Sequence, residues 1–174
     1  MESVFVYGTL RPGGGNYPLL RGSTVTEEPA IADGLALYSN GSGTFPYATA
    51  QPGRAVSGML CTITNRHWPA VRRRLDLLEG FHPSHPDTSH YHRRRWPVRT
   101  TPSDGSVSRS TIAWLYLAAP HVRIDSSRLV ASGDWLNPVN PQPPQIPATL
   151  LQPNPAAPPT PGKEGPTRCA ACSA

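Results

Sequence analysis

Hydrophobic and polar positions alternate with a period of two through much of the chain and change to a helical period in one place. Residues 3–8 (SVFVYG) alternate and are rich in Val, Phe and Tyr, which suits a strand half-buried in a sheet. Further strand segments are predicted at 32–39 (ADGLALYS), 55–63 (AVSGMLCTI), 90–99 (HYHRRRWPVR) and 110–118 (STIAWLYLA), separated by clusters of Gly, Ser, Pro and Asp. From Asn65 onward, Trp68, Val71, Leu75 and Leu78 recur at three- and four-residue steps, with Arg72, Arg73, Arg74 and Asp76 on the other face. Thr64 or Asn65 serves as the expected N-cap, Pro69 fits the first turn, and Gly80 supplies the stop. The expectation is a β core of about five strands carrying one amphipathic helix.

The periodic pattern ends near Trp135. Beyond it the chain reads NPVNPQPPQIPATLLQPNPAAPPTPGKEGPT, where prolines remove backbone donors and no apolar period survives. This divides the 174 residues into a folded domain at 1–136 and a proline-rich tail at 137–174, expected to be extended or disordered with polyproline II character. Near its end, Cys169 and Cys172 form a lone C-x-x-C with no second pair and no histidine beside it, a poor zinc or redox site. With 37% hydrophobic residues the chain can bury one core.

Charge adds little. The formal net charge is +5, but only 16% of residues are charged, so the excess reflects few acids more than many bases. Arg72–Arg74 lie on a helix's outer face and Arg93–Arg95 alternate across a strand, so neither run makes a nucleic-acid footprint. The first residues have no basic leader and no long apolar stretch, and three sparse cysteines suit a reducing compartment. The expectation is a cytoplasmic protein without a membrane partner.

The first strand runs into a glycine-rich turn, YGTLRPGGGNY. It lacks the Lys-Ser/Thr pair of a phosphate-binding P-loop and the G-x-G-x-x-G spacing of a dinucleotide fingerprint, and no helical pattern follows it. Pro12 to Gly15 need do no more than reverse the chain. Gly8 is different: at the end of a strand, a residue without Cβ lets main-chain N–H groups face a cavity, as a carboxylate or oxyanion pocket requires.

At these residues the chain resembles the gamma-glutamylcyclotransferase-like family, whose members carry Tyr-Gly-(Thr/Ser)-Leu at the end of the first strand. The resemblance continues in order through GLALY with FPYA, VSG (56–58), LDLLEG (75–80), YHRR (91–94), AWLYL (113–117) and SGDW (132–135), and so spans most of residues 4–135. It implies an α+β fold, a small mixed β-barrel of about five to six strands with a main amphipathic helix packed on it. It also implies a reaction on a small γ-glutamyl substrate. The α-amine attacks the γ-carbonyl of the same group, releases 5-oxoproline and expels an amine or amino acid, with no cofactor and no metal.

By resemblance Glu79 is the general acid/base. Alone, a Glu at a helix terminus is an ordinary solvated charge, yet the C-terminal end of a helix favours cations, and Leu78 and Phe81 beside it would raise its pKa by desolvation. Tyr7, Gly8, Thr9 and Leu10 match the family's substrate loop. Tyr91 and Tyr116 match tyrosines that line the cavity, although each can equally be a core aromatic with a satisfied hydroxyl. Arg93 can meet a substrate carboxylate or pair with Asp76 or Asp87. Two departures bear on the leaving group: Met59 and Cys61 stand where many relatives have Glu and Tyr, and FHPSHPDTSH lengthens the segment between Glu79 and Tyr91. That segment is rich in histidine, but Pro and Ser interleave the rings and no cysteine is near, which argues against a metal site. Asp134 and Trp135 read as structural residues that close the domain. The same scaffold can also serve as a non-catalytic ligand-binding or structural protein, or remove γ-glutamyl from a biosynthetic intermediate.

Overall fold

The computed structural model describes residues 1–137, so the proline-rich segment, Cys169 and Cys172 lie outside the described residues. Strand β1 (Glu2–Val6) shows how the fold is organised. Val4 and Val6 point to one side and Phe5 to the other, and all three are buried, because both faces of this strand are covered. Phe5 enters the interior of a barrel with Leu35, Leu37, Val56, Leu60, Val98 and Leu115. Val4 and Val6 instead pack under the helix with Cys61, Ile63, Trp68, Val71 and Leu75.

The barrel comprises β1, β2 (Thr24–Ser39), β3 (Pro46–Ile63), β4 (Tyr91–Thr100) and β5 (Ser110–Ala118), closed in the order β1-β3-β2-β4-β5. All neighbours are antiparallel except β1 and β5, which meet in parallel at Val4 and Trp114 and close the ring. The ring closes through short ladders, one residue pair between β1 and β5 and two between β2 and β4, while the β2–β3 and β4–β5 hairpins supply most of the pairing.

Two strands extend beyond the expected limits. β2 begins at Thr24 and not at 32, and β3 at Pro46 and not at 55. Glu27, Glu28 and Pro29 in one, and Gln51, Pro52 and Gly53 in the other, interrupt the apolar alternation that marks a strand. The two segments still pair from Ser39↔Pro46 back to Thr24↔Ile63, with register shifts between Thr24 and Thr26 and between Asp33 and Leu35, the second opposite Gln51, Pro52 and Gly53. At the other strand, Tyr7 and Gly8 fall outside β1, which ends at Val6.

The helix α1 spans Trp68–Leu78, three residues later than Asn65. Thr64 heads the preceding turn: its carbonyl accepts from the N–H groups of His67 and Trp68, and its hydroxyl from His67 N–H at 3.3 Å. Trp68, Val71 and Leu75 are buried as the period requires, but Leu78 is exposed. Asp76, expected on the solvent face, is turned toward β4 and β5, where it is largely buried and paired. The helix ends in a Schellman motif. Gly80 at φ +58° allows Phe81 N–H to reach the Asp76 carbonyl at 2.8 Å and Gly80 N–H the Leu77 carbonyl at 3.3 Å. Among the described residues no helix is long and apolar enough to cross a membrane.

Candidate active site

The loop after β1 and the C-terminal end of α1 meet over one cleft. It is lined by Phe5 to Leu10, by Phe45 and Pro46 before and at the start of β3, and by Glu79, Tyr91 and Tyr116. It opens to solvent, and the empty space in it, open solvent at the mouth included, is ≈ 370 Å³. Tyr7, Gly8, Thr9, Leu10, Glu79, Tyr91 and Tyr116 were each expected from the sequence and are brought together here. Phe5, Val6, Phe45 and Pro46 were not anticipated as lining, although FPYA was already part of the recognised pattern.

Glu79 is the C-cap residue of α1, with its N–H bonded to the Leu75 carbonyl at 2.9 Å. As a residue it is half-buried, since it stands at a helix end, but its carboxyl is desolvated and accepts no hydrogen bond from any described residue. Burial therefore pushes its pKa from 4.5 up to about 7. Tyr7 and Tyr91 face it across the cleft, and its charge adds to the burial that holds both phenols above their ordinary range.

The three tyrosines are all buried, and each hydroxyl is already committed. Tyr7 donates to the Tyr116 carbonyl at 2.5 Å, Tyr91 to the Pro46 carbonyl at 2.9 Å, and Tyr116 to the Asp76 carboxylate at 2.7 Å. Tyr91 and Tyr116 were left open between a cleft-lining and a satisfied core aromatic; the structure makes each of them both, as it does Tyr7. Their donor protons are spent within the protein, which leaves as donors the main chain of the loop and the Thr9 hydroxyl; that hydroxyl accepts from Asn16 Nδ2 and donates to no described residue. The N–H groups of Gly8, Thr9 and Leu10 have no hydrogen-bond partner among the described residues. Gly8 is required sterically, since a Cβ there would stand 2.9 Å from Pro46 Cγ across the cleft wall.

Arg93 does not line the cleft. It takes the second of its two expected partners: its Nη1 donates to both Asp76 oxygens at 2.5 Å. Its guanidinium also lies 5.2 Å from the ring centroids of Phe81 and of Trp114. Asp134 accepts from Arg11 at 2.5 Å and from Leu136 N–H at 3.0 Å, while Trp135 packs against the barrel interior. The histidines of the 82–92 segment are dispersed. His90 shares a hydrogen bond with the Tyr47 hydroxyl at 2.8 Å and His92 contacts the Pro86 carbonyl at 2.9 Å. Among the described residues no three His, Cys, Asp or Glu side chains are grouped to hold a metal ion.

The sequence profile of the family described as Gamma-glutamyl cyclotransferase, AIG2-like, matches residues 4–137, which is most of the chain and all of the cleft. The chain belongs to this family. Comparison with curated protein sequences finds no match. Solved structures with the same fold include an AIG2-like protein from Mus musculus, 22% identical, with TM-score 0.52 over 70% of this chain and 80% of that one. YkqA from Bacillus subtilis is 24% identical with TM-score 0.51 over 77% of this chain, but only 39% of YkqA is covered. An Arabidopsis thaliana protein solved in solution is 17% identical, with TM-score 0.50 and 73% of each chain covered. The chain thus spans about two fifths of the Bacillus protein, and the family fold is the barrel and helix described above.

Proposed function

We propose that the chain cyclises a γ-glutamyl group, releasing 5-oxoproline and a free amine or amino acid, with Glu79 as general acid/base. The observation that carries this is the meeting of an unpartnered, desolvated carboxyl near neutrality with three unpartnered main-chain N–H groups in one cleft. The N–H groups of Gly8, Thr9 and Leu10 receive the glutamyl head and the oxyanion that develops on its γ-carbonyl. Ionised Glu79 takes a proton from the substrate's α-ammonium. The freed amine forms the new C–N bond at the γ-carbon, and the tetrahedral intermediate collapses by breaking the bond to the leaving nitrogen. Glu79 then returns its proton to that nitrogen. The two products together have the atoms of the substrate, so neither water nor electrons are consumed, and a carboxyl with pKa near 7 suits both transfers.

The test is a panel of γ-glutamyl amino acids, γ-glutamyl amines and glutathione, with 5-oxoproline as readout and Glu79→Gln as the control. Production from at least one class, abolished in the variant, supports the reading. Activity that survives Glu79→Gln refutes the assignment of Glu79. A folded wild-type protein that binds these compounds without releasing 5-oxoproline is a ligand-binding member of the scaffold.

A further inference from the structure

Asp76 stands one turn before Glu79 on the same helix, and its surroundings are unusual for a residue at that position. Its side chain accepts two hydrogen bonds from Arg93 and one from the Tyr116 hydroxyl, and its main-chain carbonyl accepts the Phe81 N–H that completes the Schellman motif. Arg93, from β4, is held between the rings of Phe81 and Trp114, so the residue that follows Gly80 is also stacked on the ion pair. The side chains of Asp76 and Arg93 are only 15% and 12% exposed. Glu79 lies between the two points where this assembly grips the helix end.

We propose that Asp76 and Arg93 are positioning residues for Glu79: they clamp the last turn of α1 to β4 and β5, and together they present no net charge to the carboxyl. The inference rests on the reading of Glu79 given under Proposed function. An ion pair is required here because a lone carboxylate one turn from Glu79 would oppose its ionisation, and a lone guanidinium would favour it too strongly. The other titratable side chains that line the cleft with Glu79 are Tyr7 from the loop after β1, Tyr91 from β4 and Tyr116 from β5, phenols whose pKa is raised and which are neutral near pH 7. His90, whose main-chain N–H donates to the Gly80 carbonyl, is exposed and engaged with the Tyr47 hydroxyl. Burial is what raises the Glu79 pKa, as expected beside a pair that carries no net charge.

The experiment uses the full chain and three variants: Asp76→Asn, Arg93→Lys, and the double variant Asp76→Asn/Arg93→Gln. The Glu79 carboxyl is titrated by carbon-detected NMR without substrate, amide exchange is followed at Glu79 and Gly80 against Leu75, and kcat and KM are measured on a turned-over γ-glutamyl compound. In Asp76→Asn the uncompensated guanidinium lowers the Glu79 midpoint by about one pH unit. The double variant, with no charge at either position, returns the midpoint to near the wild-type value. Its Glu79 and Gly80 amides exchange roughly tenfold faster while Leu75 does not change, and kcat falls more than KM rises. Arg93→Lys keeps the charge and loses the planar fork between the two rings, so its midpoint stays and its protection falls; it serves if the Asn variant does not fold. A midpoint unmoved in Asp76→Asn overturns the charge role, and unchanged amide protection in both Arg93 variants overturns the clamp. The titration and exchange arms need no turnover, so they decide the inference even if no γ-glutamyl compound is cyclised.

Discussion

Glu79 should make the protein more stable in acid than in mild base, against the usual behaviour of a native carboxylate, and replacing it should remove that dependence. Its pKa rises from 4.5 to about 7 on burial, so the folded chain holds the proton more tightly than the unfolded chain. Below pH 4.5 both states are protonated and the group contributes nothing. Between 4.5 and about 7 the unfolded state ionises while the folded one does not, and stability falls as pH rises through this window. Above it both are ionised and the loss is constant. At ~1.4 kcal/mol for each tenfold change in proton affinity, the rise from 4.5 to about 7 corresponds to about 3 kcal/mol, an upper figure because the residue is half-buried. Glu79→Gln keeps the size and has no charge to bury. The measurement is urea unfolding of wild type and variant from pH 4 to 8.5, compared as a difference so that other titrating groups cancel. The variant should gain on the wild type by up to about 3 kcal/mol between the two ends of that range, with the change centred between 4.5 and 7. A difference that stays flat across the range would refute the desolvated carboxyl, whatever its sign.

Three further outcomes follow from the loop after β1. Gly8→Ala places a methyl 2.9 Å from Pro46 Cγ, which should cost about 1–2 kcal/mol in urea unfolding and reduce 5-oxoproline formation by displacing the cleft wall. The three glycines of the turn should rank unequally in thermal melts. Gly14→Ala sets a Cβ 2.2 Å from the Thr9 carbonyl and should be the most damaging, Gly13→Ala at φ +87° should cost about 1 kcal/mol, and Gly15→Ala, in open space, should be near neutral. Arg11→Met leaves Asp134, 15% exposed, without its partner and should destabilise by about 2–4 kcal/mol, while Arg11→Met/Asp134→Leu should recover much of that loss.

Sequence patterning made the elements legible where packing alone decides the residue type. Val4, Phe5 and Val6, or Trp68, Val71 and Leu75, are apolar because they are buried, and they could be placed before any coordinates. It failed where main-chain pairing decides. The stretch with Glu27, Glu28 and Pro29 is strand because β3 supplies its ladder partners, and Gln51 and Pro52 are carried in the register break between the paired Ala50 and Ala55; the side chains of neither give a periodic sign of it. The parallel contact of β1 with β5 depends on residues more than a hundred positions apart, and the family resemblance implied no more than a mixed barrel. In the site, Glu79 was singled out by the family resemblance, with its place at a helix C-terminus, against the dipole, as the one local sign. Asp76 was assigned to the solvent face because its neighbours Arg72–Arg74 are on it, yet a Tyr from β5 and an Arg from β4 converge on it. Nothing local to the helix records that convergence. The spent hydroxyls of Tyr7, Tyr91 and Tyr116 were illegible for the same reason, since their acceptors lie in other elements.

The triple glycine and the cleft are one device, although the sequence suggested a division between a turn that reverses the chain and a cradle that precedes it. In a trans peptide the carbonyl of one residue and the N–H of the next point in opposite directions. The Thr9 carbonyl accepts Asn16 N–H at 2.9 Å from the far side of the turn, so the N–H of Leu10 is directed away from the turn. The Gly8 carbonyl likewise accepts Arg11 N–H at 3.1 Å, which fixes the N–H of Thr9. Gly14 makes the first of these bonds possible, because any side chain there would collide with the Thr9 carbonyl. Asn16 Nδ2 then binds Thr9 Oγ1 at 2.9 Å, and Arg11 ties the loop to Asp134. The orientation of the Thr9 and Leu10 donors is therefore set before any ligand arrives, and the reorganisation that binding an oxyanion would otherwise require of them is already done in folding. Gly8 opens the cleft, and the glycine turn aims the main chain that faces it.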